Sequence, residues 1–308
     1  MARALHDPVH GYYAGNIRDI GARGDFTTAP QLSKLPGKAI ASWIVEALRE
    51  TGTRHLIEIG PGLGTLTQQV IRNLPFLLRL RTHFHLVESS PRLAERQKSL
   101  LGAKVQHHIS IHAALEACSG KAIIFSNELV DAFPVRVFER IGGQWREVAL
   151  DHSREPTVET LLPPAELPPS STLSLNFPEG QRIEIHDSYR LWLESWLPRW
   201  KNGKMLTIDY GDTVGKLYHR RPAGTLRAYF LHQRTTGAEI YLNPGLRDIT
   251  ADVNFTDLAE WSEPWLESIA PVTLADFIRR FEGSADDGIL AASSHFMVLT
   301  QKPGGEKR

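Results

Sequence analysis

Residues 55–65, HLIEIGPGLGT, decide the fold, because a short apolar run is followed by three glycines at alternate positions. The apolar run has the β-branched character of a strand that is buried on both faces. Gly60, Gly62 and Gly64 allow a tight turn and a close approach of the backbone to a ligand. In residues 65–74 apolar side chains recur every four positions, which is typical of one face of a helix. The order strand, glycine loop and helix predicts a cofactor site at this loop.

The spacing of the glycines and the acid before them distinguish between cofactors. The dinucleotide fingerprint is G-x-G-x-x-G, which faces a pyrophosphate, whereas this loop contains G-x-G-x-G. Glu58, two residues before the first glycine, would repel a pyrophosphate and attract an ammonium group. The pattern E-x-G-x-G-x-G resembles the first motif of the class I S-adenosylmethionine (SAM) methyltransferases, whose ligand carries a cationic amino-acid tail. A glycine-rich turn that binds no ligand is the alternative.

A second acidic residue ends the next strand. Residues 84–88 have the pattern of a buried strand that ends in Glu88, and Ser90 and Pro91 then predict the first positions of a helix. A carboxylate at that strand end can accept both ribose hydroxyls of a nucleoside, in a nicotinamide enzyme and in a SAM enzyme alike. Glu88 therefore supports the fold more than it selects the cofactor. An exposed glutamate without a ligand is the alternative.

Length and charge bound the function classes. The chain has 308 residues, enough for two domains or for one enlarged α/β domain. Lys plus Arg and Asp plus Glu both number 35, so no overall basic field favours nucleic acid or an anionic membrane. This neutrality favours a small molecule or a protein as substrate.

The cysteine and histidine pattern predicts no metal. Cys118 is the only cysteine, which excludes an internal disulfide and a CxxC metal site. His83 with His85, and His107 with His108, lack carboxylate or thiolate companions at ligand spacing. The sequence also has no apolar run of 18 residues and no basic, apolar signal segment at its start. We therefore expect a soluble, cytoplasmic protein without membrane insertion.

A further strand carries polar residues to the predicted ligand edge. Residues 122–125 are apolar and lead into the segment 126–134, SNELVDAFP. In an open parallel sheet, ligands bind at the carboxyl ends of the strands. Residues 135–150 predict a hairpin, and 203–211 predict another strand. The proline-rich stretch 156–178 is too interrupted for regular core structure and is expected to run over the surface.

Eight segments of the sequence follow one another in the order of a known family. They are 10–13 (HGYY), 24–28 (GDFTT), 58–65 (EIGPGLGT), 87–91 (VESSP), 126–135 (SNELVDAFPV), 208–211 (IDYG), 225–228 (TLRA) and 245–250 (GLRDIT). Together they resemble the MidA family of SAM-dependent methyltransferases. This family includes a mitochondrial assembly factor of respiratory complex I that methylates protein arginine.

The resemblance implies a fold and a cofactor. The fold is a Rossmann-like, class I methyltransferase α/β sheet of seven strands with an N-terminal lid and inserted substrate-side elements. Residues 1–54 would form the lid and a helix, and 55–308 the methyltransferase domain, with insertions about 134–202 and 212–255. SAM would be the methyl donor and S-adenosylhomocysteine the product, without a metal.

The predicted cofactor residues combine the two acids, the glycine loop and the N-terminal lid. Asp25 and Thr27 would close over the cofactor, although a purely structural turn is nearly as good an interpretation. The full predicted set is Asp25, Thr27, Glu58, Gly60, Pro61, Gly62, Gly64, Glu88 and Ser89.

Asn127, Glu128 and Asp131 are the predicted catalytic residues. Methyl transfer from a sulfonium is an in-line displacement that depends mainly on alignment of the nucleophile. Glu128 and Asp131 could hold a guanidinium in fork geometry, with one nitrogen directed at the methyl group. A helix-capping cluster with Asn127 as N-cap is the alternative. The predicted substrate residues, each equally interpretable as a structural pair, are Asp209, Tyr210, Arg227, His232 and Asp248.

Three function classes remain open, and all of them keep the SAM site. The first is a protein methyltransferase acting on arginine. The second is a small-molecule methyltransferase, and the third is a SAM-binding assembly or interaction factor. A nicotinamide oxidoreductase is disfavoured by the glycine spacing and by Glu58. A protein substrate is the expected partner, nucleic acid is not expected, and a homodimer is compatible with the sequence.

Overall fold

The computed structural model describes residues 1–13, 34–151, 153, 157–230, 233–283 and 287–304. Its strands are β1 (His55–Ile59), β2 (His83–Val87), β3 (Val105–His108), β4 (Ile123–Asn127), β5 (Arg136–Ile141), β6 (Gln144–Asp151), β7 (Val158–Leu161), β8 (Arg182–Ile185), β9 (Met205–Asp212), β10 (Arg227–Phe230), β11 (Gln233–Thr235), β12 (Asp248–Thr250), β13 (Val253–Asn254), β14 (Leu266–Thr273) and β15 (Phe296–Pro303).

Two α-helices of the described residues precede β1, and the others lie between strands. They are α1 (Ala2–His6), α2 (Leu35–Thr51), α3 (Thr65–Asn73), α4 (Phe76–Arg81), α5 (Pro91–Leu101), α6 (Ile111–Ala117), α7 (Asp187–Trp196), α8 (Val214–Leu217), α9 (Phe255–Ser262), α10 (Leu274–Glu282) and α11 (Asp287–Ser293).

The central sheet has the strand order β3-β2-β1-β4-β9-β15-β14, and β13 pairs with the end of β9. Strands β1, β2, β3, β4 and β9 run parallel to one another, whereas β15 runs antiparallel to both β9 and β14. This is the predicted Rossmann-like α/β sheet. Its order reverses between β1 and β4, which brings the carboxyl ends of β1, β2 and β4 around one crevice.

Each face of the sheet is covered by its own helices, because side chains alternate between the faces along each strand. On one face, Leu56 and Phe125 pack with apolar residues of α2, α3 and α10. On the other face, Ile57 and Ile124 pack with apolar residues of α6, α7 and α9. The parallel strands are therefore buried on both sides, as their continuous apolar runs predict.

Two smaller sheets extend the central one. The first has the order β7-β6-β5-β8 and contains the predicted hairpin, and the second has the order β11-β10-β12. The expectation for residues 156–178 is wrong in part, since β7 pairs with β6 and Thr172 is fully buried. Asp257 explains this burial, because its carboxylate accepts hydrogen bonds from Ser170 Oγ (2.6 Å) and Ser171 N (2.7 Å).

The helices were compared with the length and hydropathy of a membrane-spanning helix. Among the helices of the described residues, none combines the length and the apolar character that crossing a bilayer requires.

Candidate active site

The loop after β1 adopts a shape that requires glycine. Gly60, Gly62 and Gly64 have φ values of 65°, 54° and 80°, in the left-handed region that side chains disfavour. A Cβ atom on Gly60 would also lie 2.8 Å from Leu129 Cδ1. The loop thus leaves room at the crevice that any other residue would fill, and α3 begins directly after it at Thr65.

Glu58 is buried beneath this loop, with only 3% of its surface exposed. Burial raises the pKa of Glu58 to about 7, and the nearby charge of Glu88 adds to the increase. Thr67 Oγ1 donates a hydrogen bond to Glu58 Oε2, which opposes the increase. The sequence analysis did not identify Thr67 as a partner of Glu58. The signal that could have identified it is its position two residues after the start of α3, facing the end of β1.

Glu88 is fixed at the end of β2 by two donors. Its Oε1 accepts from Ser90 N (2.8 Å), and its Oε2 accepts from Gln97 Nε2 (3.1 Å). Gln97 Nε2 also donates to Gly62 O (2.7 Å), so this one amide joins the glycine loop to the second acid. Burial raises the pKa of the Glu88 carboxyl. Gln97 was not predicted, and only its position seven residues after the N-cap Ser90, on the same helical face, hints at it.

Asn127 and Glu128 lie where β4 ends, and the backbone turns sharply there. Glu128 has a φ of 53°, which is unusual for a residue with a side chain. Such a conformation costs about 1–3 kcal/mol and persists only when neighbouring groups enforce it. Asn127 Nδ2 donates to Glu128 Oε1 (2.9 Å), which orients the carboxylate.

The carboxylate of Asp209 holds this turn in place through hydrogen bonds. Its Oδ2 accepts hydrogen bonds from Leu129 N (3.1 Å), Val130 N (2.8 Å) and Asp131 N (3.3 Å). The placement of Asp209 at the substrate mouth is therefore corrected, because its side chain is completely buried. Burial, with the charges of Asp131 and Glu128, raises the pKa of Asp209. No helix begins within residues 127–135, all of which are described, so the alternative of a helix-capping cluster is wrong.

Asp131 is not brought to the crevice beside Glu128. Its Oδ2 accepts from Thr250 Oγ1 (2.8 Å), and its backbone carbonyl accepts from Ala251 N (3.3 Å). The expected fork of Glu128 and Asp131 around a guanidinium does not form. The reason is that the chain after Glu128 makes a turn, which directs Asp131 to β12.

Two of the other predicted substrate residues, Tyr210 and Arg227, are in contact with each other and line a separate cavity. The ring of Tyr210 packs on Phe296, with centroids 4.0 Å apart, and the Arg227 guanidinium carbon lies 5.8 Å from the Tyr210 centroid. Arg227 Nη1 donates to Asp252 Oδ1 (2.5 Å).

Asp248 faces the N-terminal segment, since its Oδ1 accepts from Tyr13 Oη (2.9 Å). Burial and the charge of Asp248 raise the pKa of Tyr13 well above its usual range. Three predicted site residues, Asp25, Thr27 and His232, lie outside the described residues.

One cavity collects most of the predicted cofactor residues and two of the three catalytic ones. Gly64 and Asp131 are not part of its wall, whereas His6 and Tyr13, which sequence reasoning missed, are. Its lining consists of His6, Tyr13, Glu58, Gly60, Pro61, Gly62, Leu63, Thr65, Leu66, Glu88, Ser89, Leu93, Asn127, Glu128, Leu129, Ala132 and Phe133.

The described residues give this cavity an excess of negative charge. Glu58, Glu88 and Glu128 line it, and no Lys or Arg does among the residues with described positions. A cavity with this lining suits a ligand that carries positive charge and an apolar ring, and it opposes a pyrophosphate. SAM, with its ammonium, its sulfonium and its adenosine, meets this requirement.

Known proteins point to the same cofactor. Residues 39–269 match the model of a family described as "Putative S-adenosyl-L-methionine-dependent methyltransferase". A protein from Burkholderia thailandensis, solved bound to S-adenosyl-homocysteine, is similar with a TM-score of 0.81 and 25% identity; the match covers 98% of this chain and 86% of that one. A native structure of a protein from the same organism gives a TM-score of 0.76 at 23% identity, with 98% and 85% coverage.

Curated relatives extend the similarity along the chain. The zebrafish (Danio rerio) protein named "Protein arginine methyltransferase NDUFAF7, mitochondrial" is 28% identical over 98% of this chain and 76% of its own length. The human (Homo sapiens) protein of the same name is 26% identical over 91% of this chain and 68% of its own length.

The expectation of a cytoplasmic protein is wrong by this comparison, because the relatives are named mitochondrial. That expectation used the absence of a signal segment, which does not decide the compartment. For the cofactor the comparisons and the sequence agree. The chain belongs to the family of S-adenosyl-L-methionine-dependent methyltransferases whose model it matches over residues 39–269.

Proposed function

We propose that this methyltransferase transfers the methyl group of SAM to the guanidinium of an arginine in a protein, with Glu128 orienting the acceptor. The observation that carries the proposal is the cavity in which Glu58, Glu88 and Glu128 converge without a described Lys or Arg. Two of these acids suffice for a cationic nucleoside, and the third lines the same cavity, where its negative charge attracts a cationic acceptor. The relatives named protein arginine methyltransferases support the same choice of acceptor.

The first two acids divide the cofactor between them. Glu58 lies under the glycine loop, where its charge favours the ammonium group of the amino-acid tail. Glu88 lies at the end of β2, and a carboxylate held by Ser90 N and Gln97 Nε2 retains lone pairs that can accept from ribose hydroxyls. Gly60, Pro61, Gly62 and Ser89 complete this wall.

Glu128 binds the acceptor through its carboxylate. A guanidinium is planar and donates two parallel hydrogen bonds to a carboxylate, so binding to Glu128 fixes the direction of its remaining nitrogen. Asn127 Nδ2 and the Asp209-bound turn hold the Glu128 carboxylate in place before the acceptor arrives. Preorganisation of this kind lowers the barrier to methyl transfer by aligning the acceptor nitrogen.

The chemical step is a displacement in line. SAM supplies an electrophilic methyl group on a sulfonium. The acceptor nitrogen, held by Glu128, forms the bond to the methyl carbon while the carbon–sulfur bond breaks and its electron pair stays on sulfur. The proton that the alkylated nitrogen loses passes to the Glu128 carboxylate and then to water.

A second, larger cavity supports a peptide as the acceptor. It has a volume of about 1000 Å³ and is lined by Tyr210 and Arg227. Tyr210 lines this larger cavity, and its pKa is raised by burial first and then by the charge of Glu128, which lines the cofactor cavity. The charged part of the larger cavity's lining consists of Lys216, Arg220, Arg221, Arg227 and Arg234 against Asp212 and Asp252. This excess of cations favours acidic residues near the target arginine.

The test is methyl transfer from labelled SAM to a cell lysate, followed by hydrolysis and separation of the methylated amino acids. We expect label in methylarginine. We expect Glu128→Gln to lower kcat by roughly a hundredfold or more, because the Gln amide cannot bind the guanidinium with two acceptors. The affinity for SAM should change by less than about threefold, since Glu128 acts on the acceptor.

Asp131→Asn is the matched control, because it removes a carboxylate three residues away that does not line the cavity. Its kcat should stay within several-fold of the wild type. Label confined to small molecules would contradict the proposal, as would binding of SAM without any transfer. Loss of SAM binding in Glu128→Gln would assign Glu128 to the cofactor.

A further inference from the structure

Three side chains with metal-binding atoms meet at the opposite side of the sheet from the reactive crevice. His55 begins β1, His85 lies in the middle of β2, and Cys118 follows the last residue of α6. One ligand atom of each lies within 4.8 Å of those of the other two. His55 Nδ1 and His85 Nε2 are 3.0 Å apart. Because parallel strands start at the same edge, the cluster lies toward the amino-terminal edge, away from Glu58 and Glu88.

The separation of these atoms is near that of a zinc coordination shell. Zinc–nitrogen bonds of about 2.0–2.1 Å at tetrahedral angles place two ligand nitrogens about 3.3 Å apart. The two imidazole nitrogens are thus almost at coordinating distance already. The thiol must approach by roughly 1 Å, which a rotation of the short Cys118 side chain can provide.

The surroundings supply what metal ligands require. His85 Nδ1 lies 3.0 Å from His108 Nε2, so the second ring nitrogen of His85 has the partner that orients a ligating imidazole. His55 is only half-buried and stacks on the exposed His83, with ring centroids 5.0 Å apart, which leaves a path from solvent.

We propose that His55 Nδ1, His85 Nε2 and Cys118 Sγ bind one zinc ion, with water as the fourth ligand. Two imidazoles and one thiolate are a ligand set that selects zinc over magnesium or calcium. On binding, Cys118 releases its thiol proton to solvent, and the proton of His55 moves from Nδ1 to Nε2 through exchange with water. The ion links β1, β2 and the residue that follows α6.

Without a metal ion, the protons of this cluster would be arranged differently. In that case His55 Nδ1–H donates to His85 Nε2, His85 Nδ1–H donates to His108 Nε2, and Cys118 is an ordinary buried thiol, whose pKa burial raises to about 11. The sequence alone favoured this interpretation, because 30 residues separate His55 from His85 and 33 separate His85 from Cys118. Only the fold brings the three together.

The test uses the full chain after treatment with a chelator, titrated with Zn²⁺ and, separately, with Co²⁺ as a spectroscopic substitute. The wild type should bind one equivalent and show a thiolate-to-cobalt charge-transfer band. Cys118→Ser and His85→Gln should bind at least tenfold more weakly, and Cys118→Ser should lose this band because it removes the thiolate. His107→Gln is the matched control, because His107 lies on the same strand as His108 and faces the other side of the sheet; it should behave as the wild type.

SAM binding by each variant, measured in parallel, shows that the variant is folded. Zinc should also raise the Tm of the wild type and leave that of Cys118→Ser unchanged. Absence of the cobalt band in the wild type would overturn the proposal, and this result needs no variant. Equal zinc affinity in the wild type, Cys118→Ser and His85→Gln would overturn it too, since the ion would then bind elsewhere.

Discussion

Glu58 is the residue whose protonation most directly concerns the cofactor. Burial raises its pKa to about 7, whereas the ordinary value is 4.5. The folded protein therefore holds this proton more tightly than the unfolded chain does. The stability that Glu58 contributes is fully present below pH 4.5 and is lost as the pH rises through about 7. A cationic ligand reverses this balance, because it favours the ionised carboxylate.

SAM should accordingly bind more tightly as the pH rises through the pKa of Glu58. Between about pH 5.5 and about pH 7, where the amino group of SAM stays protonated, we expect the affinity to increase roughly tenfold. Calorimetry in buffers of different ionisation enthalpy measures both the affinity and the proton released. Glu58→Gln should bind SAM weakly with a flat pH profile, and an equal pH dependence in the two proteins would contradict this role.

The residues that could be predicted are those with a local signal. Glu58, Glu88 and Glu128 each stand at the end of an apolar strand, and strand ends at one sheet edge must converge. Thr67 and Gln97 carry no such signal, because their importance comes from hydrogen bonds to Glu58 and to Gly62 across separate elements. A pattern along the chain does not contain these contacts.

At the scale of elements, the turn after Glu128 depends on β9. The residue of β9 that holds this turn, Asp209, is buried and does not line the cofactor cavity. Asp209 in β9 accepts from three consecutive backbone amides after Glu128. The sequence predicted β9 and β4 correctly, but it left open a helix start at Asn127, where the structure has a turn. Capping residues and turn residues are of the same types, so composition could not separate the two. The consequence is that Asp131 faces β12 and Asp209 becomes the anchor.

Asp209→Asn should therefore impair catalysis while cofactor binding persists. An asparagine offers an amide nitrogen where Asp209 offers an acceptor, so the turn loses part of its support and Glu128 shifts. We expect kcat to fall roughly tenfold to a hundredfold, because small misplacements of aligning groups have effects of this size. The affinity for SAM should stay within about threefold. Steady-state kinetics and calorimetry on the same preparation give both values.

Asp257→Asn is the matched comparison for Asp209→Asn. Asp257 is also buried and also accepts from a backbone amide, but it joins Ser170 and Ser171 to α9 and does not line the cavity. Its replacement should lower the free energy of unfolding by about 1–3 kcal/mol and leave kcat nearly unchanged. If both variants lowered kcat equally, the specific role of Asp209 would be refuted.

At the scale of the whole molecule, two cavities of opposite charge lie beside the central sheet. The carboxyl ends of β1, β2 and β4 form the acidic cofactor cavity, and a basic cavity lies beyond Tyr210. The alternation of apolar strands and helices predicts an α/β sheet, and the resemblance to a known family implies the methyltransferase fold; the strand order comes from the structure. The basic cavity could not be predicted, because the overall charge is balanced and only the fold separates the charges in space.

The basic cavity predicts a preference among acceptor peptides. Peptides with glutamates beside the arginine should have a kcat/KM at least tenfold higher than the same peptides with lysines, and added salt should reduce the difference. Lys216→Gln combined with Arg220→Gln should weaken the preference, because both exposed cations line this cavity. Lys104→Gln, an exposed cation outside the cavity, serves as the control. A preference for lysine-flanked peptides would contradict the assignment.

The central claim is that one acidic cavity holds the cofactor at Glu58 and Glu88 and presents its sulfur to Glu128. A crystal structure with S-adenosylhomocysteine tests it most directly. The account predicts ribose hydroxyls within about 2.5–3.0 Å of the Glu88 oxygens, the amino-acid tail over the glycine loop near Glu58, and the sulfur facing the Glu128 carboxylate. A ligand bound outside this cavity, or bound with its sulfur turned away from Glu128, would contradict the account.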